Sequence, residues 1–326
     1  MTPLIGTFSA GTARRFGWLF QLVGGGPGLY SWGYNANGQL GLGDILNRSS
    51  PVQIGTLTTW SVIAGGGDNG FAIKTDGTLY AWGVNGSGRL GLGDTTTRST
   101  PVQVGALTTW SKVSVGSGFV LAIKTDGTLW GQGYNANGEL GVGNLTFGYS
   151  SPVQVGALTT WSKVASGANS GFAIKTNGTL WAWGDNGSGV LGDGTITAYS
   201  SPVQIGALTT WSSLGTGATS TYAIKTDGTL WSWGGNTSGQ LGLGNTTDYS
   251  SPVQIGTLTT WSKVEGANQH AVAVKTDGTL WAWGINSSGQ LGDGTTTNRS
   301  SPVQVGALTT WTLVNPGGGA SYAIRT

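Results

Sequence analysis

Side chains able to do acid–base, nucleophilic or metal chemistry are sparse in this chain and do not cluster. His270 is the single histidine and there is no cysteine. Glu139 and Glu265 stand far apart in sequence and show no paired spacing. A metal centre needs several nitrogen, sulfur or carboxylate ligands at close spacing. A glycosidase needs two converging carboxyl groups. Neither pattern is present. The recurrent aspartates belong to Asp-Gly turns, where the side chain caps its own backbone. GDGT and GLGD segments lack the alternating acidic ligands of a calcium loop, and the glycine-rich turns do not open helices, as a phosphate cradle does. The sequence therefore predicts a non-enzymatic protein with no catalytic residue, metal or cofactor.

The residues that do recur at a fixed place are suited to binding. Three positions before each of six repeated prolines stand Arg48, Arg98, Tyr149, Tyr199, Tyr249 and Arg299. Tyrosine offers flat amphipathic contact area for a protein or a sugar, and arginine pairs bidentately with carboxylate or phosphate. Phe147, Asp248 and His270 add variation nearby. An alternative is that each Arg or Tyr stem only covers the next unit's proline. A second recurrent set is Lys74, Lys124, Lys175, Lys225 and Lys275, with Arg325 at the end of the chain. Asp76, Asp126, Asp227 and Asp277 follow four of these lysines by two residues, and Asn177 follows the fifth. These groups would form either an anion-binding ring or a solvated, self-neutralised rim.

Positioning these residues falls to six copies of one unit about fifty residues long. Its core reads LYSWGYNANGQLGLG from Leu29, LYAWGVNGSGRLGLG from Leu79 and LWGQGYNANGELGVG from Leu129, with three more from Leu180, Leu230 and Leu280. A Pro-Val-Gln marker recurs at Pro51, Pro101, Pro152, Pro202, Pro252 and Pro302. Such a period means a solenoid, propeller or array. In the second copy, strands are expected at 102–104, 110–113, 120–124 and 128–133, in that order within one blade. Asp126-Gly127 would form a type I′ hairpin turn. Four antiparallel strands per copy make one propeller blade. Trp60, Trp110, Trp161, Trp211, Trp261 and Trp311 recur at one position and read as packing residues. Gln132 stands where five copies have tryptophan, which predicts a polar pocket or a repacked core there.

The fold class expected is all-β: a closed propeller of six four-stranded blades. The chain ends halfway through a blade, and the missing partner strand, 29–33, lies near its start. One blade would then be completed by strands from both termini, leaving no exposed edge. An open superhelix of blades is the competing arrangement. Residues 27–326 form the propeller and residues 1–26 an N-terminal arm. Successive loops alternate between the two ends of a blade. One end, with the GALTT and KTDG turns, is nearly constant; the other, with segments 65–70, 114–118, 166–170, 215–221, 265–270 and 315–320, varies. Loops on a rigid scaffold commonly carry recognition, so the variable end is the candidate binding face.

Composition narrows the partners. The chain has 61 glycines, 9% charged residues and a formal net charge of +2. No long-range field draws it to nucleic acid. No apolar stretch is long enough to span a membrane as a helix, and the N-terminus lacks the features of a signal peptide. Absence of cysteine leaves the redox compartment open.

The W-G-x-N-x-x-G-x-L-G signature and the fifty-residue spacing resemble the regulator-of-chromosome-condensation repeats, over residues 29–326. Members of that family commonly form seven-bladed propellers, so six copies depart from the pattern. The resemblance implies functions in nucleotide exchange on a small GTPase, chromatin binding, β-lactamase inhibition or other protein binding. Exchange factors of the family use a wedge inserted in one blade. Copies here are spaced fifty or fifty-one residues apart, so no insertion can play that part, and exchange is disfavoured.

The arm carries Phe8, Phe16, Trp18 and Phe20 outside any repeat, and could plug the propeller or anchor it to another protein. It resembles the short N-terminal arms of tailed-phage virion proteins. The leading expectation is accordingly a virion or surface attachment protein: a bacteriophage tail fibre, spike or capsid decoration at the virion surface. Its variable face would bind a protein or surface glycan, and its arm another virion protein. The alternative is a cytoplasmic or extracellular soluble regulator or inhibitor that caps a protein partner. A polysaccharide hydrolase or lyase would need paired carboxylates, which are not seen.

Overall fold

The computed structural model describes residues 16–19, 28–57, 59–66, 68–316 and 321–325. All regular elements among them are strands. The first three are β1 (Phe16–Leu19), β2 (Tyr30–Gly33) and β3 (Arg48–Gln53). The second sheet holds β4 (Trp60–Gly65), β5 (Asn69–Lys74), β6 (Leu79–Gly83) and β7 (Arg98–Gln103). The third holds β8 (Trp110–Val115), β9 (Phe119–Lys124), β10 (Leu129–Tyr134) and β11 (Gly148–Gln154). The fourth holds β12 (Trp161–Ser166), β13 (Ser170–Lys175), β14 (Leu180–Gly184) and β15 (Tyr199–Gln204). The fifth holds β16 (Trp211–Thr216), β17 (Ser220–Lys225), β18 (Leu230–Gly234) and β19 (Tyr249–Gln254). The sixth holds β20 (Trp261–Gly266), β21 (His270–Lys275), β22 (Leu280–Gly284) and β23 (Arg299–Gln304). Last come β24 (Trp311–Pro316) and β25 (Ser321–Arg325).

Five sheets are four-stranded and antiparallel with strands in chain order; β1–β2–β3 and β24–β25 are shorter sheets at either end. The four-strand unit is as expected, but its frame is shifted. The Pro-Val-Gln strand, read as a blade's first, is its last: β7 pairs with β6. The glycine-rich segment therefore loops within a sheet, and the Gly105–Thr109 turn crosses to the next one. Local chemistry makes this loop possible. Asn85, fully buried, accepts a hydrogen bond from the Leu90 amide on Oδ1 at 2.9 Å and donates from Nδ2 to the Asp94 carbonyl at 2.9 Å. This internal cross-brace folds the glycine-rich stretch back on itself, and Asn35, Asn135, Asn186, Asn236 and Asn286 repeat it.

The hairpin between β9 and β10 also differs from expectation. Gly127 N–H donates to the Lys124 carbonyl at 3.0 Å, and no described non-glycine residue has positive φ. Type I′ needs positive φ at both central residues, so the turn is a type I turn closed by Gly127 at φ +77°. Asp126 Oδ1 accepts from both the amide and the hydroxyl of Thr128.

First strands of successive sheets touch one another, from β4 against β8 through β20 against β24. That places them innermost in a radial array. Each apolar cluster joins two consecutive sheets: Phe71, Ile73 and Leu79 of the second pack with Trp110, Val113 and Val115 of the third. The core is thus a series of inter-sheet layers, each burying apolar surface worth about 25 cal/mol per Å².

Ring closure through both termini is not what the strands do. β2 has two edges; β3 takes one, and β1 the other, in the register Phe16↔Gly33 and Gly17↔Trp32. That register matches Asn69↔Gly83 and Gly70↔Trp82 between β5 and β6. β1, inside the segment read as an arm, stands where a repeat's own second strand stands, leaving no edge of β2 for β25. Trp32 is half-buried, whereas Trp82, against which the glycine-rich loop of the preceding sheet packs, is 1% exposed.

Candidate functional site

The constant end is built from two turns that meet. A Cβ on Gly77 would lie 2.1 Å from the Thr108 carbonyl oxygen, and Trp110 N–H donates to the Gly77 carbonyl at 3.0 Å. Its lysines are neither an open anion ring nor a rim neutralised by the neighbouring aspartates. Lys124 Nζ stands 3.5 Å from the ring centroid of Trp130 and 5.0 Å from that of Trp110. Lys175, Lys225 and Lys275 repeat this over their own tryptophan pairs, and Lys74 sits over Tyr80. Desolvation pushes the Lys124 ammonium below its usual range, with Asp126 pulling the other way. The Asp126 carboxyl is held low first by the Thr128 hydroxyl and amide, and only then by Lys124. Among the described residues the ion pairs are all Arg–Asp.

Those three pairs occupy the predicted rim. Arg48 reaches Asp44 at 2.5 Å, Arg98 reaches Asp94 at 2.6 Å, and Arg299 reaches Asp293 at 2.8 Å. The tyrosines brace the same glycine-rich loop: Asn144 Nδ2 donates to the Tyr149 hydroxyl at 2.9 Å, Asn245 Nδ2 to that of Tyr249 at 3.2 Å, and the Tyr199 side chain hydrogen-bonds Asp193. All six are half-buried. Each is thus anchored to its own loop, and the cations of the rim are neutralised locally. Asp248 is exposed, with Oδ1 accepting from the Asn236 amide at 2.6 Å. Phe147 is 71% exposed and stands edge-on to Tyr134, centroids 5.6 Å apart.

His270 does not belong with them. It opens β21, is fully buried, and pairs through Nε2 with Ser321 Oγ at 3.0 Å. Burial pushes its pKa down to about 4, so the ring is neutral and structural. Phe16 and Trp18 are positions of β1; Phe8 and Phe20 lie outside the described residues. Parts of segments 65–70 and 315–320 also lie outside them.

Variable loops link to one another around their end: the Ser117 amide donates to the Ala168 carbonyl and the Ala218 amide to that of Ala267, both at 3.2 Å. Gln132 resolves to a repacked core rather than a pocket. It is 4% exposed and its Nε2 donates to the Arg89 carbonyl. Arg89 was not singled out from the sequence, although its position holds Gln, Glu or Val in the other copies. Among the described residues no group of three or more His, Cys, Asp or Glu is placed to hold a metal ion, and no helix is long and apolar enough to cross a membrane.

A family model described as the regulator of chromosome condensation (RCC1) repeat matches residues 28–73, 76–123, 126–174, 177–224, 227–274 and 277–324. A second model of the same description matches residues 161–190 and 211–240. Among solved structures, human WBSCR16 is similar at 20% identity and a TM-score of 0.81, over 91% of this chain and 81% of that one. Yeast RCC1 (Prp20), solved with Kap60, is similar at 20% identity and a TM-score of 0.79, over 92% and 76%. Prp20p of Saccharomyces cerevisiae, described with its binding to Gsp1p and histones, is similar at 21% identity and a TM-score of 0.78, over 92% and 78%. At these identities the likeness establishes the propeller fold. No curated protein matches the chain in sequence.

Proposed function

Because the chain belongs to the regulator of chromosome condensation (RCC1) repeat family, we propose that it is a non-enzymatic, protein-binding propeller that caps a protein partner with its variable end. The observation that carries this reading is the contrast between the ends. The Lys–Trp stacks and Gly–Thr turns recur from copy to copy at one end. At the other, hydrogen bonds set adjacent loops of different sequence side by side. Rigid sheets supply the platform and loop identity supplies selectivity.

Protein partners are named for one relative of this fold, yeast Prp20: Kap60 in one structure, Gsp1p and histones in another. Sharing about a fifth of the sequence, this chain inherits the mode of binding as a proposal and not those partners. Exchange activity is not proposed, since no copy carries an inserted wedge. The attachment reading leaned on the arm, whose strand β1 is paired into the first sheet; the soluble regulator is the reading that the fold supports better.

The test is partner capture from the source cells with the intact chain, then with Tyr149, Tyr199 and Tyr249 all changed to Ala. Each substitution removes aromatic contact area and one half-exposed hydrogen bond, so the chain should stay folded. A stoichiometric partner that is lost on the triple substitution supports the recognition face. A partner retained at full affinity, or lost only when the constant end is altered, overturns it.

A further inference from the structure

Departures from the consensus that are distant in sequence converge at one spot of the variable end. Arg89 stands where other copies have Gln39, Glu139, Val190, Gln240 and Gln290. Gly118 stands where they have Asp68, Asn169, Thr219 and Gln269, the residues whose carbonyls accept the same backbone bond after the Trp-Gly strand. The one-residue length difference of the third copy falls at Phe147-Gly148, where the Phe147 carbonyl replaces an Asn or Asp side chain as acceptor for the amide of the loop asparagine.

These changes fit one another in space. Arg89 Nη1 donates to the Ser117 carbonyl at 3.1 Å. A Cβ on Gly118 would press on Tyr134 Cβ at 3.2 Å and lie in contact with Arg89 Nη2 at 3.8 Å, so the glycine leaves open the space between the ring and the guanidinium. Tyr134 carries Phe147 edge-on, and Phe147 projects into solvent. The other arginines of the rim each pair with an aspartate; Arg89, among the described residues, has no carboxylate within ion-pair distance, Asp68 acting on its charge only from farther off, and its Nε is buried without a partner. A half-buried guanidinium bonded to a lone carbonyl retains donors and charge for an incoming anion. The planar aromatic pair beside it supplies apolar contact of the kind that anchors an interface.

We propose that Arg89, Ser117, Gly118, Tyr134 and Phe147 form a binding site for a carboxylate carried beside an apolar side chain, as an acidic segment of a protein partner presents it. This rests on the variable end being the recognition face and names the chemistry that face selects. The carboxylate pairs with the free edge of the Arg89 guanidinium, and the neighbouring apolar group lies against Phe147.

Two blocked tripeptides of nearly equal shape test it: acetyl-Asp-Phe-Glu-amide and acetyl-Asn-Phe-Gln-amide, titrated into the isotope-labelled intact chain and followed by amide chemical shifts. The acidic peptide should bind in about the millimolar range expected of so small a ligand, shifting Ser117, Gly118 and Tyr134. The neutral one should bind at least about tenfold more weakly, the loss of one charge-assisted contact. Arg89→Gln should erase the preference; glutamine is native at this position in three copies, so this variant should fold. Phe147→Ala should weaken the acidic peptide while leaving its preference over the neutral one. Equal binding of the two peptides, shifts elsewhere, or an unchanged preference in Arg89→Gln would overturn the site. A captured partner that is lost on the tyrosine substitutions but indifferent to Arg89→Gln would also overturn it, while leaving the wider recognition face standing.

Discussion

Gln132 Nε2 lies 2.9 Å from the backbone carbonyl oxygen of Arg89, and so keeps a hydrogen bond that tryptophan makes in other copies. Trp82, Trp183, Trp233 and Trp283 send their indole N–H to the equivalent carbonyls of Gln39, Glu139, Val190 and Gln240, at 3.0, 2.8, 2.8 and 2.8 Å. One bond therefore ties each of the second to sixth sheets to the glycine-rich loop of the sheet before it, whichever side chain supplies the donor.

Removing both the bond and the ring should be costly. Trp183 is fully buried. Trp183→Ala leaves a large cavity between two sheets and an unsatisfied carbonyl, and should lower the unfolding free energy by about 3–5 kcal/mol. Urea unfolding followed by far-ultraviolet circular dichroism measures it; a change below about 1 kcal/mol would mean that the layer is not tightly packed.

Two glycines with left-handed backbones separate steric cost from backbone strain. Gly105 has φ +61° and open space around its would-be Cβ, whereas at Gly127 (φ +77°) that atom would stand 2.2 Å from the Thr159 carbonyl oxygen. Gly105→Ala should cost about 1–2 kcal/mol, the left-handed penalty alone. Gly127→Ala should cost clearly more, because the turn must also part from the next sheet. Equal losses for the two would contradict the close approach.

His270 makes stability depend on pH. Its pKa falls from 6.5 to about 4 on burial, so between these values the unfolded chain binds a proton that the folded chain refuses. The contribution is present in full above pH 6.5 and is lost as pH falls toward 4, to a total of about 3 kcal/mol. His270→Asn, the residue of the equivalent Asn69, should flatten that part of the stability profile. The difference between wild type and variant in urea midpoint at pH 7 and pH 4.5 isolates the effect from that of the carboxylates.

Lys124 is 8% exposed and lies over two indole rings. Lys124→Met keeps an unbranched stem but discards the cation, and should cost about 1 kcal/mol. Lys225, two sheets away, makes the same arrangement over Trp231 and Trp211. The double variant Lys124→Met, Lys225→Met should lose the sum of the single losses within about 0.5 kcal/mol. A larger deviation would show that the sheets communicate through the stacks.

Much of the fold was legible because it is written six times. Period, strand count, the division into a constant and a variable end and the packing role of Trp60, Trp110 and their equivalents follow from residue type and spacing. These depend on local backbone preference and on apolar surface that must be covered wherever it lies. Tertiary structure decided what depends on proximity between distant residues. Which sheet owns the Pro-Val-Gln strand turns on the buried asparagine brace of the glycine-rich loop. Whether β25 completes the first sheet turns on which strand takes the free edge of β2, and β1 takes it. Whether a histidine in a variable loop faces solvent turns on the sheet packed over it. That Arg89, Gly118, Tyr134 and Phe147 share one spot is invisible along the chain, because they are spread over about sixty residues and Arg89 reaches the others only when neighbouring sheets stack.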